Sequence, residues 1–376
     1  MLLVDSTGLS LLDKSNVNFQ SYKNMNDLNN DQKLKLFANP KLFQDNFVLD
    51  GYMANDLIEM LTSMIKIRKA EQTLAEHRRL GDIGGPVHLG VGQEAIAVGC
   101  SASLMATDRV FGAHRSHAHL LALGAPVEPL FAEVLGRESG YSKGMGGSMH
   151  LWNQGVGFFG SVPIVAGTVA LAVGAGLAAK LQKKADVAVA YLGDGAIEEG
   201  VVHESLNLAR IQDIPVIFVL ENNLFASHMH LSLRQPMRST TRFAEANDIP
   251  SEIVDGNNIV EVESTMRRMV DQARKGGGPS FLEAITYRWY GHVDWRDDID
   301  VGVNRSLEDV ADWRLRDPIG RLKRSLIQQQ VWSEEENDAL FDAVDNEINA
   351  AWASAESAPF PDASALLDRV YANGAV

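Results

Sequence analysis

Residues 187–223 hold two apolar runs, VAVAYL and PVIFVLE, the first closed by GDG and the second by NN. Between them, IEEGVVHESLNLARI has helical character. Strand, helix, strand is a parallel βαβ unit. It commits the chain to an α/β sheet and places Asp194 and Asn223 at the carboxyl ends of two parallel strands. Open α/β sheets bind their ligands at that edge. A carboxylate and an amide oxygen there suit a hard divalent cation, which takes oxygen ligands and usually keeps phosphate oxygens as well. The stretch therefore predicts a magnesium–diphosphate site.

The same alternation extends along the chain. Strands are expected at 187–192, 215–220 and 279–289, and helical pieces at 167–182, 198–210 and 260–274. That pattern predicts an α/β fold, a doubly wound parallel sheet with helices on both faces. Upstream, Ala54 to Leu80 has apolar residues at helical spacing, Gly81 to Gly92 reads as a loop, and QEAIAVGCSASLM reads as a helix. RVFGAHRSHAHLLALG contains a short strand and a polar turn, PVEPLFAEVLGRESG is helical, and YSKGMGGSMHL is a glycine-rich loop. Residues 1–50, rich in Asn, Asp and Lys, read as an extension or arm; 51–325 form the α/β domain; 326–376 form a helical tail packed on it. Asp317-Pro318 marks a helix start.

With 376 residues, 45% of them hydrophobic, the chain has room for a large core. A net charge of -15 argues against nucleic acid as a partner, since phosphate binding needs a basic face. The single cysteine, Cys100, excludes an internal disulfide, reads as a buried thiol, and fits a reducing compartment. The opening MLLVDSTGLSLLDKS has early aspartates and no clean apolar core, unlike a leader, so a cytoplasmic location is expected. Leu151 to Ala179 carries no formal charge, but Gly155, Gly157, Gly160, Ser161 and Pro163 break its first half. The remainder, AGTVALAVGAGLAAKL, is shorter than the roughly 20 residues of a membrane span and predicts a buried, closely packed helix instead. No phosphate loop is predicted, because KGMGGSMH is not followed by GKS or GKT; nor is a nicotinamide site, because no GxGxxG follows a first strand.

GPVHLGVGQEA, HRSHAH, KGMGGSMH, GDGAIEEG, PVIFVLENN and TYRWYGH occur in that order. The GDG and NN pair resembles the thiamine-diphosphate motif. The ordered set is similar to the alpha subunit of the thiamine-dependent decarboxylating component of 2-oxo-acid dehydrogenase complexes of the pyruvate, branched-chain and acetoin types. The resemblance covers residues 55 to 325 and implies the thiamine-diphosphate-binding fold.

Carried onto this sequence, the resemblance makes Asp194 and Asn223 side-chain ligands of Mg2+ and the backbone carbonyl of Phe225 the third protein ligand. Gly193, Gly195 and Ala196 match the turn that approaches the diphosphate, with a helix from about Ile197 aiming its N-terminus at the phosphates. Arg115 matches an arginine that holds the diphosphate, and Arg288 matches a second family arginine. His114 stands where many pyruvate enzymes have tyrosine, and acetoin-type members look closer there. Ile164 and Val165 match the segment that props the cofactor in its bent shape. His88, His117 and His292 match catalytic histidines, whose expected jobs are phosphate contact, substrate orientation and proton transfer. His119, His150, His203, His228 and His230 have a weaker claim.

The chain departs from the family pattern at Ala118 and Pro163, where glycine is usual, and at Val293-Asp294-Trp295, where related pyruvate enzymes carry a regulatory serine. Phosphorylation control at that position is not implied. The resemblance implies cleavage of a carbon–carbon bond in a 2-oxo acid or an acyloin, with the acyl group passed to a lipoyl arm on a partner acyltransferase. It also implies a separate beta subunit that supplies the activating glutamate, in an alpha-two, beta-two assembly. The alternative is a subunit of a non-oxidative thiamine enzyme, a carboligase or a transketolase-like half.

Overall fold

Six short apolar runs pair into one sheet, and every pairing in it is parallel. The strands are β1 (Arg109–Gly112), β2 (Phe158–Ser161), β3 (Ala188–Gly193), β4 (Val216–Asn222), β7 (Ser251–Asp255) and β8 (Ser280–Ile285). Between β4 and β7 lies a two-strand ladder, β5 (Phe225–Ala226) with β6 (Met229–His230). The spatial order is β2-β1-β3-β4-β8-β7. The computed structural model describes residues 25–293, 295, 296, 299, 300 and 303–365. Residues 1–24 of the expected arm, 366–376 of the expected tail, and Asp294 lie outside that set.

The helices are α1 (Asn30–Phe37), α2 (Ala54–Leu80), α3 (Glu94–Ser101), α4 (His117–Ala122), α5 (Glu128–Val134) and α6 (Val169–Leu181). They continue with α7 (Gly200–Ile211), α8 (Thr241–Glu245), α9 (Ile259–Arg274), α10 (Leu307–Leu315), α11 (Pro318–Gln328) and α12 (Glu334–Ser357). Successive side chains of a strand point to opposite faces. Accordingly Val189, Tyr191, Ile217 and Val219 enter one core with α2, α3, α5 and α9. Ala188, Ala190, Leu192, Val216, Phe218 and Leu220 enter another with α6 and α7. Both faces are thus covered, and β3 and β4 are apolar at nearly every position.

Crossover handedness accounts for which helix covers which face. The steps β1 to β2 and β7 to β8 run one way along the sheet, through α4, α5 and α9 in the first core. The steps β2 to β3, β3 to β4 and β4 to β7 run the other way, through α6, α7 and α8 in the second. The direction reverses between β1 and β3. That point is the topological switch of the sheet, with a crevice at its carboxyl edge.

The α/β expectation holds, with local corrections. GDG is followed by a single 3-10 turn, Ala196–Glu198, and α7 starts only at Gly200, so the helix expected near Ile197 is displaced. The glycine-broken segment before Pro163 supplies the edge strand β2, and SEIVD supplies β7, neither of which was expected as a strand. Helix α6 is buried on one side only: Val169 and Val173 are covered, whereas Leu171 is 57% exposed. No helix among the described residues is long and apolar enough to cross a membrane.

The first and last described α-helices dock on the rest of the fold. Leu34 and Phe37 of α1 pack with Leu224, Tyr287 and Trp313. Helix α12 starts with a capping box, Ser333 with Glu336, and buries Val344, Ile348 and Trp352 against α2 and α5. Helix α11 begins as expected, with Asp317 capping Ile319 and Gly320 and Pro318 in the first turn. The fastening that joins these parts is ionic. Arg316 and Arg321 donate to the two oxygens of Asp255 at 2.7 and 2.9 Å, and Arg316 also donates to the Phe37 carbonyl at 2.7 Å.

Both guanidiniums and the carboxylate are buried, and the two arginines hold Asp255 below the usual carboxylate range against the effect of burial. Breaking a buried ion pair on one side leaves uncompensated charge. Asp255→Ala is therefore expected to destabilise the chain by about 3–5 kcal/mol, read from the urea-unfolding midpoint. A loss below about 1 kcal/mol, the level of an exposed pair, would show that the two arginines find other acceptors.

Candidate cofactor and metal site

The crevice at the β1/β3 switch opens into a cavity of about 400 Å³. Three strand ends meet there: Ala113 to Arg115 after β1, Gly193 to Ala196 after β3, and Glu221 and Asn223 at the end of β4. The register fixes the last two relative to one another, because Gly193 lies opposite Glu221. His88, Gln93, Met149, Val165, Phe225 and His292 complete much of the wall.

Asp194 is 2% exposed, and burial pushes its carboxyl up to about 6 although Arg234 pulls in the opposite direction. Arg234 donates to its carboxylate and to Glu198, and lies 3.4 Å from the Asp194 carbonyl. Asn223 accepts from the Phe225 amide at 3.2 Å and donates to Gln93 at 3.3 Å. The preceding Asn222 is structural: it donates to Glu283 at 2.8 Å and accepts from Leu224, whose φ of 69° turns the chain into β5. The turn after β3 needs glycine at 195, since a Cβ there would lie 2.7 Å from the Ala226 side chain. A hard divalent cation fits the donor set, with Asp194 and Asn223 offering oxygens in the cavity wall that Phe225 also lines.

Another part of the cavity lining is a cluster of imidazoles. His88 and His114 have ring centroids 4.6 Å apart, His88 and His292 5.0 Å, and His114 and His292 5.3 Å. Burial and the Arg115 charge drive all three down, His114 to about 3, His292 to about 2 and His88 further. Each is therefore neutral near pH 7, offering one nitrogen as donor and the other as acceptor. Nδ1 of His88 has no hydrogen-bond partner among the described residues, an orphaned buried atom suited to a ligand. Arg115 ties the two flanking loops together, donating to the Leu89 carbonyl at 2.6 Å and to Nδ1 and the carbonyl of His292 at 3.2 Å.

His117 is placed differently from the expectation of a catalytic histidine. It is fully buried, with Nδ1 3.2 Å from Glu71 and Nε2 2.8 Å from Ser148. Both nitrogens are engaged by protein groups, and His117 is not among the residues that line the cavity. This Glu-His-Ser chain is no hydrolytic triad. Ser148 is 6% exposed, and the neighbouring amides that could serve as an oxyanion hole are already used. Glu133 accepts from the amides of Ser142, Gly144, Gly146 and Gly147 at 2.6–3.0 Å, which folds the glycine-rich loop around a carboxylate.

Of the other expected residues, Val165 lines the cavity while Ile164 is 71% exposed outside it. Arg288 lies outside the lining and instead donates to the Ser227 and Tyr290 carbonyls. Trp295 packs against the core. His119 is buried, stacked on Tyr191 at 3.7 Å and 3.2 Å from Glu221; His203 rests edge-on to Phe243; His230 caps the next turn. Sequence reasoning missed Gln93, Glu71, Glu133 and Arg234. Glu71 did leave a signal, a charge on the apolar stripe of α2 between Ile67 and Leu74. Arg234 left none, because it sits in a loop without a motif.

A sequence profile of the family described as dehydrogenase E1 component matches residues 62–364. The alpha subunit of acetoin:2,6-dichlorophenolindophenol oxidoreductase from Bacillus subtilis (strain 168) is 35% identical over 315 residues, 83% of this chain and 92% of that one. The pyruvate dehydrogenase E1 component subunit alpha of Rhizobium meliloti (strain 1021) is 34% identical over 317 residues, 84% of this chain and 90% of its own. Its counterpart in Zymomonas mobilis is 36% identical over 308 residues, 81% and 86% respectively. Family profile and relatives agree, and the chain belongs to the dehydrogenase E1 component family.

Proposed function

We propose that the chain is the alpha subunit of a thiamine-diphosphate-dependent 2-oxo-acid dehydrogenase of the pyruvate or acetoin type. The observation that carries this reading is the placement of Asp194 and Asn223 on one wall of the switch-point cavity, with neutral histidines and Arg115 on another. Asp194, Asn223 and the Phe225 carbonyl would hold Mg2+. Gly193, Gly195 and Ala196 would lie along the diphosphate, and Val165, with Ile164 beside it, would support the bend of the cofactor. The bound thiamine diphosphate supplies the electron sink for cleaving a bond next to a carbonyl. The chain supplies orientation, exclusion of water and imidazoles that accept or donate a hydrogen bond. His88, His114 and His292 face the substrate, and His117 braces them from behind.

A beta subunit completes the site in this reading, supplying the activating glutamate within an alpha-two, beta-two assembly. Its support is the apolar surface beside the cavity, where Ile164 and Leu171 are 71% and 57% exposed. Transfer of the acyl group to a lipoyl acyltransferase, and a cytoplasmic location, belong to the same proposal. A non-oxidative thiamine enzyme is the second reading, favoured by Pro163 in the cavity wall. The two separate when the chain and its beta partner are given a 2-oxo acid or acetoin: the first requires a lipoyl domain or a redox dye as acceptor, and the second does not.

Removing the Asp194 carboxylate tests the metal assignment. Asp194→Ala is expected to weaken magnesium-dependent thiamine diphosphate binding by more than about a hundredfold, with an unchanged far-ultraviolet circular dichroism spectrum. Parent-like affinity by calorimetry would refute it.

The imidazole cluster generates a pH dependence of stability. The unfolded chain takes up protons at these histidines below about pH 6.5, while the folded chain holds His114 neutral down to about 3. The unfolded state then binds more protons, so stability falls as pH drops below about 6.5. His114→Gln should flatten the stability–pH slope between pH 6 and 4 by about one proton, measured by chemical denaturation. An unchanged slope would mean that His114 protonates in the folded chain.

A further inference from the structure

We propose that Arg234 is a built-in counter-cation for the metal site: in the cofactor-free chain its guanidinium holds the Asp194 carboxylate, and a divalent cation enters by displacing it. The inference rests on the reading of Asp194 as a metal ligand.

Arg234 follows the β5–β6 ladder and the short turn Leu231–Leu233, and its side chain is 8% exposed. One guanidinium serves two carboxylates, Asp194 and Glu198. It is braced on its own loop, since Nε donates to the Met229 carbonyl at 3.2 Å. The next residue repeats the contact: Gln235 Nε2 lies 3.4 Å from the Asp194 carbonyl and 2.8 Å from Glu198. Arg242 in turn fixes Gln235 at 2.6 Å. The loop after β6 is thus latched across the GDG turn by side chains, at the carboxylate that a metal would need.

Physical chemistry makes the contact a competitor. A buried carboxylate without a cation is costly, so Arg234 stabilises the empty site. The lone pairs that accept the guanidinium protons are those a metal would use, and two cations on one carboxylate repel each other. Metal binding therefore selects the conformer in which Arg234 has released Asp194. Its apparent affinity is lowered by the factor by which the latched form outnumbers the open one. Glu198 remains as a partner for the released guanidinium, so opening needs a side-chain rotation and no loss of the second ion pair. The same factor applies to every cation, so at a given concentration Arg234 leaves the weakly bound ones at low occupancy.

The test titrates Mn2+, in the absence of thiamine diphosphate, into the full-length chain, with free metal read by electron paramagnetic resonance. Arg234→Gln is expected to bind Mn2+ about tenfold more tightly than the parent. It should also melt at a lower temperature without metal and show a larger rise in melting temperature when Mn2+ is added. Arg234→Lys, which keeps the charge without the two-pronged contact, should fall between them and serves if the Gln variant fails to fold. Asp194→Ala is the control. If it abolishes Mn2+ binding while neither Arg234 variant tightens it, the metal-ligand reading stands and the counter-cation proposal is overturned. If Asp194→Ala leaves Mn2+ binding unchanged, the metal-ligand reading fails and the proposal falls with it.

Discussion

The register between β3 and β4 is the constraint on which the rest of the molecule depends. Gly193 pairs with Glu221, so the chain leaves both strands at one level, with Asp194 and Asn223 directed to one edge. Parallel pairing is what makes this possible, since it brings like ends of strands together and gathers their polar termini on one side. That pairing needs covering helices on both faces, and the two apolar layers around Val189 and Ile217 on one side and Ala190 and Phe218 on the other meet the need. The segment around Phe37 and the start of α11 are then fastened to the same frame through Arg316, Arg321 and Asp255, at the end of the outermost strand.

Burial acts on the two walls of the cavity in opposite senses with one result. It raises the carboxyl of Asp194 and lowers the imidazoles of His88, His114 and His292, so each group is pushed towards its uncharged form. The charges that persist are accompanied: Asp194 and Glu198 by Arg234, and Arg115 by the carbonyls of Leu89 and His292. A metal cation beside Asp194 and an anionic diphosphate near the histidines would reverse both shifts. The walls are complementary to a ligand that carries both signs of charge, which is what the proposed cofactor and metal present together.

Much of this was legible in the sequence, for a physical reason. The unit from β3 to β4 is local, its strands run apolar at both faces, and GDG and NN mark their ends. Helix α2 was legible to its last residue because Gly81, with φ of 94°, stops it. What escaped depends on residues far apart in the chain. Strand β2 has glycines that read as a broken loop, and it exists because β1 offers a parallel edge. His117 reads as catalytic by its motif, and the motif gives no sign that Glu71, 46 residues earlier, and Ser148, 31 later, engage both its nitrogens. Arg234 carries no local pattern at all, and its importance comes only from the fold that lays its loop across the GDG turn.

The position of the cavity shows what the proposed assembly would cover. Val165 lines it, and the adjoining Ile164 is 71% exposed together with Leu171 on α6. A charged site performs best when water is excluded, since field strength rises as the local dielectric falls. The chain alone leaves that flank to solvent, with apolar side chains where a closing wall would gain most from burial. Covering this surface would stabilise a complex through the hydrophobic effect and dry the site in the same step. A partner bound there thus contributes twice, once by the area it buries and once by strengthening every electrostatic contact that Asp194, Asn223 and Arg115 make with the ligand.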